Sequence, residues 1–164
     1  MIIVTWNCNG ALRKKTSFLD TIDADIFVIQ ECENPNTSIT KYKKWASNFL
    51  WVGHNKNKGI GVFVKKNISL APLNWQGQHS LHLVGDENHP LLSWESSQLE
   101  LFLPCIINNK IPLLAVWTKN NKLFPKMSYI GQAWLYLQQH KNKLSSNQII
   151  CGDFNSNAWN APRK

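Results

Sequence analysis

Apolar and polar positions change rhythm several times along the chain. Residues 2–6 form a short apolar run rich in β-branched side chains, closed by the turn formers Asn7, Asn9 and Gly10. That pattern predicts a buried strand. Leu12, Lys15, Phe18, Leu19 and Ile22 then fall at helical spacing, with Arg13, Lys14 and Asp20 turned outward. Residues 25–30 give a second buried strand. Strand, helix and strand within about thirty residues make a βαβ unit, whose two strands are expected to be parallel neighbours. Asn7 and Glu31 then reach the same edge of the sheet, where open α/β sheets place ligands.

Residues 33–57 read as an excursion, opened by Pro35 and Asn36 and containing a helix over 40–48. Strands are expected over 58–66, with Gly59 and Gly61 embedded, and over 68–75. Residues 76–95 carry Gly77, Gly85, Pro90 and three histidines, and predict a long irregular loop with one short strand. Strands over 99–107 and 111–118 are joined by Asn108-Asn109-Lys110, a hairpin signal. Ile130, Ala133, Trp134, Leu137, Lys141 and Leu144 mark a helix with one apolar face, and 148–151 starts a final strand leading into Gly152-Asp153-Phe154-Asn155. The expected organisation is one α/β domain (α+β by some schemes) with mixed strand directions.

Composition narrows the class. A chain of 164 residues, 43% hydrophobic, suits one folded domain and excludes disordered or fibrous classes. No run approaches the ~20 apolar residues of a membrane span. The N-terminal residues lack a basic leader, so no signal peptide is expected and the predicted location is cytoplasmic. Lysine and arginine outnumber aspartate and glutamate 18 to 10, a net charge of +8. That balance favours polyanionic partners such as nucleic acid, although a solvated lysine-rich surface is the plainer reading of charge alone. The eight tryptophans fill a core or stack on bases. Cys8, Cys32, Cys105 and Cys151 show no C-x-x-C spacing, which argues against zinc and for free thiols.

Three clusters at strand ends can do chemistry: residues 5–10, Gln30-Glu31, and residues 152–157. A carboxylate and an amide at the ends of adjacent parallel strands can share a hard cation. Mg²⁺ fits best, because it takes one or two carboxylates and keeps water and phosphate as its other ligands. Asp153 and Asn155, at i and i+2 of an extended segment, would project to the same side. Gly152 would allow a close backbone approach. Each piece also has an ordinary reading: Asn7 as a turn cap, Glu31 as a surface charge, Asp153 and Asn155 as an Asx turn.

Taken in order, Thr5-Trp6-Asn7 with Asn9-Gly10, Gln30-Glu31, and Gly152-Asp153-Phe154-Asn155 resemble the endonuclease/exonuclease/phosphatase superfamily, the deoxyribonuclease-like fold. Lys58-Gly59-Ile60-Gly61-Val62 looks like its glycine-bearing strand. The resemblance implies a four-layer α/β/β/α sandwich of two mixed sheets. It also implies metal-dependent attack of water on a phosphodiester, with Mg²⁺ as cofactor and Mn²⁺ as the alternative. Residue by residue, it makes Glu31 the metal ligand and gives Asn7 a share in binding the metal or holding Glu31. Asp153 would position or deprotonate the attacking water, and Asn155 would contact the phosphoryl oxygen that gains charge. Many members carry a Thr-His pair or a Tyr on the strand before the long helix; Thr118 matches the Thr, and Lys119 stands where the His often stands, either contacting phosphate as a point charge or simply solvated. The five histidines match no family motif, and His79, His82 and His89 read as loop residues.

The family pattern continues past the Gly-Asp-Phe-Asn motif with a further Asp and a Ser-Asp-His run, and here no histidine follows His140. The expectation is therefore a domain over 1–164 lacking its C-terminal segment. Its second sheet would be incomplete and an apolar edge exposed, with Trp159 partly uncovered. Two accounts stand open: an incomplete or fragmentary metal-dependent phosphohydrolase with half a site and little or no activity, or a functional short form that serves as a nucleic-acid- or phosphate-binding or regulatory module or completes its site through another chain. Outside the family, a basic, aromatic-rich nucleic-acid-binding domain would leave Glu31 and Asp153 without a role.

Overall fold

The first apolar run forms β1 (Ile3–Asn7), and the second forms β2 (Ile26–Cys32). They pair in parallel with Asn7 opposite Gln30, as a βαβ connection requires. A computed structural model describes residues 1–81, 92–95, 98–120 and 128–156. The remaining elements are α1 (Thr16–Leu19), α2 (Thr40–Trp45), β3 (Phe49–Asn55), β4 (Lys58–Val64), β5 (Leu70–Pro72), β6 (Gln78–Leu81), β7 (Leu92–Glu95), β8 (Phe102–Ile107), β9 (Ile111–Trp117), α3 (Ile130–Gln139) and β10 (Ile149–Asp153).

Two four-stranded sheets result, with orders β1-β2-β4-β3 and β10-β9-β8-β5. Their plans match. Each has a parallel pair at one edge, β1 with β2 and β10 with β9, and antiparallel pairing through the rest. The sheets face each other, and β10 runs against β1 and β2 across the sandwich.

Strand alternation sorts the side chains into three apolar layers. Ile26, Val28, Ile60, Val62, Leu103, Cys105, Ile107, Leu113, Ala115 and Trp117 fill the space between the sheets. Ile29, Cys32 and Phe63 face outward under α1 and α2, where Leu19 and Tyr42 meet them. Phe102, Leu114 and Val116 face the other way, under Leu135 and Tyr136 of α3. The architecture is the expected four-layer sandwich of two mixed sheets. No disulfide links Cys8 to Cys32, and all four thiols are free.

Several elements differ from the sequence pattern. The helix over 12–22 is a 3₁₀ turn at Leu12–Lys14 followed by the single-turn α1. The Lys15 ammonium, placed on the apolar stripe, instead donates to the carbonyls of Cys8 and Gly10, and Phe18 is exposed. Strand β3 lies inside the supposed excursion. Residues Phe49 to Gly53 are all half-buried on this edge strand, so no alternation marks it. Two paired strands, β6 and β7, replace the single one expected in 76–95. Helix α3 buries Gln132, Ala133, Leu135 and Tyr136, while Ile130 and Trp134 of the expected face are exposed. The stack of Tyr136 on Phe102, at 4.2 Å, sets that rotation. His82, His89 and Trp159 lie outside the described residues.

Candidate active site

Asn7 ends β1 and is followed by a left-handed run, Asn9, Gly10 and Ala11, with φ of 49°, 75° and 54°. The run folds back so that the Asn9 amide donates to Asn7 Oδ1 at 3.0 Å. Lys15 ties the same loop down through the Cys8 and Gly10 carbonyls. With its oxygen engaged, Asn7 turns Nδ2 toward two carboxylates. It donates to Glu31 Oε1 at 3.3 Å and to Asp153 Oδ2 at 2.7 Å.

Glu31 reaches that position through a backbone irregularity. The pairing of β2 with β4 shifts register between Gln30 and Cys32, and Glu31 itself has φ 60°. It is the extra residue of a β-bulge, held in the left-handed region that non-glycine residues rarely occupy. The bulge resets the alternation. Cys32 joins Ile29 on the outer face, under α2, instead of entering the layer between the sheets. Glu31 then lies on the side of Asn7. Its Oε2 accepts from the Lys58 ammonium at 2.7 Å. Burial pushes the Glu31 carboxyl up, but the Lys58 and Asn7 hydrogen bonds and the charges of Lys58 and Lys119 outweigh it and leave it below the ordinary value.

Asp153 ends β10 opposite Trp117 of β9. Gly152 just before it has φ 145°, and a Cβ there would sit 1.9 Å from the Val116 carbonyl oxygen. The close approach anticipated for Gly152 is thus to the neighbouring strand. Asp153 Oδ1 accepts from the Asn155 amide at 2.9 Å, an Asx turn in which Asn155 has φ 46°. The segment is therefore not extended through Asn155, whose Nδ2 donates to the Thr118 carbonyl at 2.8 Å.

Thr118 is fully buried and secures this loop, its hydroxyl donating to the Phe154 carbonyl at 2.5 Å. Lys119 lays its ammonium over the Trp117 ring, 4.0 Å from the centroid. Burial pulls the Lys119 ammonium below its ordinary value, and the Lys58 charge adds to this against Glu31 and Glu100.

The donors gathered here are hard oxygens on two carboxylates and two carboxamides. Among the described residues no three His, Cys, Asp or Glu side chains come together. The set suits Mg²⁺, which takes one or two carboxylates, and the Lys58 ammonium on Glu31 already occupies a cation position. Lys58 was legible only as part of a basic cluster. The missed signal is antiparallel pairing, which puts the residue before Gly59 next to the end of β2. Glu33 is a buried structural acid, paired with Arg13 at 2.6 Å and accepting from the Leu12 amide at 2.8 Å. His54 pairs with Glu100, whose charge reaches Lys119, and His79 and His140 pack together at 5.3 Å. A cleft of about 710 Å³ lies elsewhere, between β3 and the start of β8, and none of the six candidate residues lines it.

No curated protein matches the sequence. Two solved structures share the fold. A crystal structure of humanized D. rerio TDP2 with 14 mutations matches with a TM-score of 0.51 at 15% identity, over 96% of this chain and 63% of that one. An endonuclease/exonuclease/phosphatase family protein from Bacteroides thetaiotaomicron matches with a TM-score of 0.52 at 12% identity, over 98% of this chain and 66% of that one. The chain thus spans slightly less than two thirds of either structure. A sequence model described as the Endonuclease/Exonuclease/phosphatase family matches residues 4–164, and the chain belongs to that family.

Proposed function

We propose that this chain is a Mg²⁺-dependent phosphodiesterase of nuclease type, in which water attacks a phosphodiester of nucleic acid at the edge formed by Asn7, Glu31, Asp153 and Asn155. One observation carries the reading: Asn7 gathers a carboxylate from each sheet onto one carboxamide. Family membership supports the reaction class, and the net charge of +8 supports a polyanionic substrate.

In this reading Glu31, held by Asn7, is the metal ligand. A bound Mg²⁺, or Mn²⁺ in its place, offsets charge on the phosphoryl oxygens and lowers the pKa of water. Asp153 takes the proton of the attacking water, its carboxylate aimed by Asn7 and the Asn155 amide. The Asn155 carboxamide has one hydrogen on Thr118 and a second for a phosphoryl oxygen. Lys119 adds a point charge for phosphate, and Thr118 holds the loop that carries Asn155.

A second reading has its own observation. The Glu31 carboxylate already has N–H partners in Asn7 and Lys58, and Lys119 stands near it as a further positive charge. An inactive homologue that retains phosphate or nucleic-acid binding fits that fact. The test is Mg²⁺-dependent nicking of supercoiled plasmid and hydrolysis of bis(p-nitrophenyl) phosphate. The hydrolase reading expects turnover that Asp153→Ala abolishes. Binding of DNA without turnover selects the second reading.

A further inference from the structure

We propose that Lys58 is a resident counter-ion of Glu31 that a divalent cation displaces, and that its freed ammonium then holds substrate phosphate opposite Lys119. This rests on the metal reading of Glu31 above.

The position of Lys58 is fixed by its backbone. It opens β4 opposite Asn55, and the Asn57 amide donates to Asn55 Oδ1 at 2.9 Å, closing the turn between β3 and β4. At Gly59 a Cβ would meet the Val52 carbonyl at 2.3 Å and the Trp51 ring, so the two strands are in close contact there. Gly59 pairs with Cys32, directly past the bulge, which brings Lys58 beside Glu31. The side chain itself is half-exposed, at 52%, so its ammonium can swing into solvent at little cost in packing.

Both oxygens of Glu31 already have N–H partners, Oε1 from Asn7 and Oε2 from Lys58. An ammonium and a divalent ion on the same Oε2 repel each other at ligand distance, and one exposed ion pair returns little against that repulsion. Metal binding at Oε2 therefore favours the departure of Lys58. The charges then select the next partner. Two carboxylates, Glu31 and Asp153, stand against two lysines, Lys58 from the first sheet and Lys119 just past β9 of the second. Adding a divalent ion leaves the edge two charges positive. A phosphodiester anion offsets part of that excess, and passage of the water's proton to Asp153 leaves the total unchanged. Lys58 thus keeps the edge neutral before binding and becomes an anion contact afterwards.

The experiment uses the full chain and reads binding. Mn²⁺ affinity is measured by calorimetry on the wild type, Lys58→Met and Glu31→Gln. Inorganic phosphate affinity is then measured at saturating Mn²⁺. Lys58→Met is expected to tighten Mn²⁺ about fivefold and to weaken phosphate several-fold, while Glu31→Gln loses Mn²⁺. If Glu31→Gln loses Mn²⁺ but Lys58→Met binds it no more tightly than the wild type, the displacement is wrong and the metal reading stands. Unchanged phosphate affinity in Lys58→Met overturns the phosphate role. If neither the wild type nor Lys58→Met binds Mn²⁺, the metal reading fails and the Lys58 role fails with it.

Discussion

Asn7 and Asp153 close a 2.7 Å hydrogen bond between strands of different sheets, 146 positions apart in the chain. This contact, more than any turn or helix, assembles the candidate site, and removing it should be felt first in the ligand geometry. Asn7→Ala leaves Glu31 and Asp153 in place but without their shared donor. Mn²⁺ affinity is expected to fall roughly 10- to 100-fold, the usual effect of losing a group that orients metal ligands. Calorimetry checks this, with far-UV circular dichroism to show that the sheets persist. An unchanged affinity would remove Asn7 from the site.

The bulge at Glu31 predicts a stability difference between two variants that both lack the carboxylate. At φ 60° an alanine keeps the steric penalty that a glycine escapes. Glu31→Gly should be more stable than Glu31→Ala by about 1 kcal/mol. Urea denaturation measures the gap. Alanine equal to or above glycine would argue against the left-handed geometry.

Gly152→Ala should be costly. The new methyl would stand 1.9 Å from the Val116 carbonyl oxygen and less than 3.0 Å from the Val116 nitrogen and carbonyl carbon. Strand β10 must separate from β9 to admit it, carrying Asp153 away from Asn7. A loss of roughly 2–4 kcal/mol is expected, visible as a lower urea midpoint.

Acid should destabilise the fold through His140. Burial, with Lys143 and His79 nearby, pulls the His140 imidazole from 6.5 down to about 4. It is packed against Trp75, Tyr136 and His79, and its Nε2 lies 2.6 Å from the side-chain Nε2 of Gln139. A depressed folded value means that the unfolded chain takes up the proton first. Its contribution is therefore complete above about pH 6.5 and is lost as pH falls toward 4. The slope is about 1.4 kcal/mol per pH unit in that window, roughly 3 kcal/mol in all. Urea melts between pH 4 and 7.5 should show this, and His140→Gln should flatten the profile. The same slope in the variant would assign the loss to other groups.

Much of the fold was legible because period-2 alternation and turn residues are strong local signals. The parallel partnership of β1 and β2, the Asn108-Asn109 hairpin and the placing of Asn7 and Glu31 at one edge followed from them, whereas Asp153 joined that edge only through the family resemblance. The face of α3 was not legible, since Ile130 and Trp134 fit the helical period as well as Leu135 and Tyr136 do. The stacking that decides between them comes from Phe102 on a distant strand. Strand β3 was hidden by its edge position, and Lys58 by belonging to the site only through pairing. The residues around Asp153 allow either an extended segment or an Asx turn, and the left-handed Asn155 settles the backbone there as the turn.

The Asn7–Asp153 bond also turns the spacing of the two sheets into a working dimension of the protein. Ala115 sits in the layer that sets this spacing, on β9 and paired with Cys151, two residues before Asp153. A bulkier side chain at that point acts as a wedge: it touches no polar group of the edge, yet it lengthens the span that one carboxamide must bridge. Tuning of this centre is thus open to substitutions in its hydrocarbon interior, well away from any residue that meets a ligand.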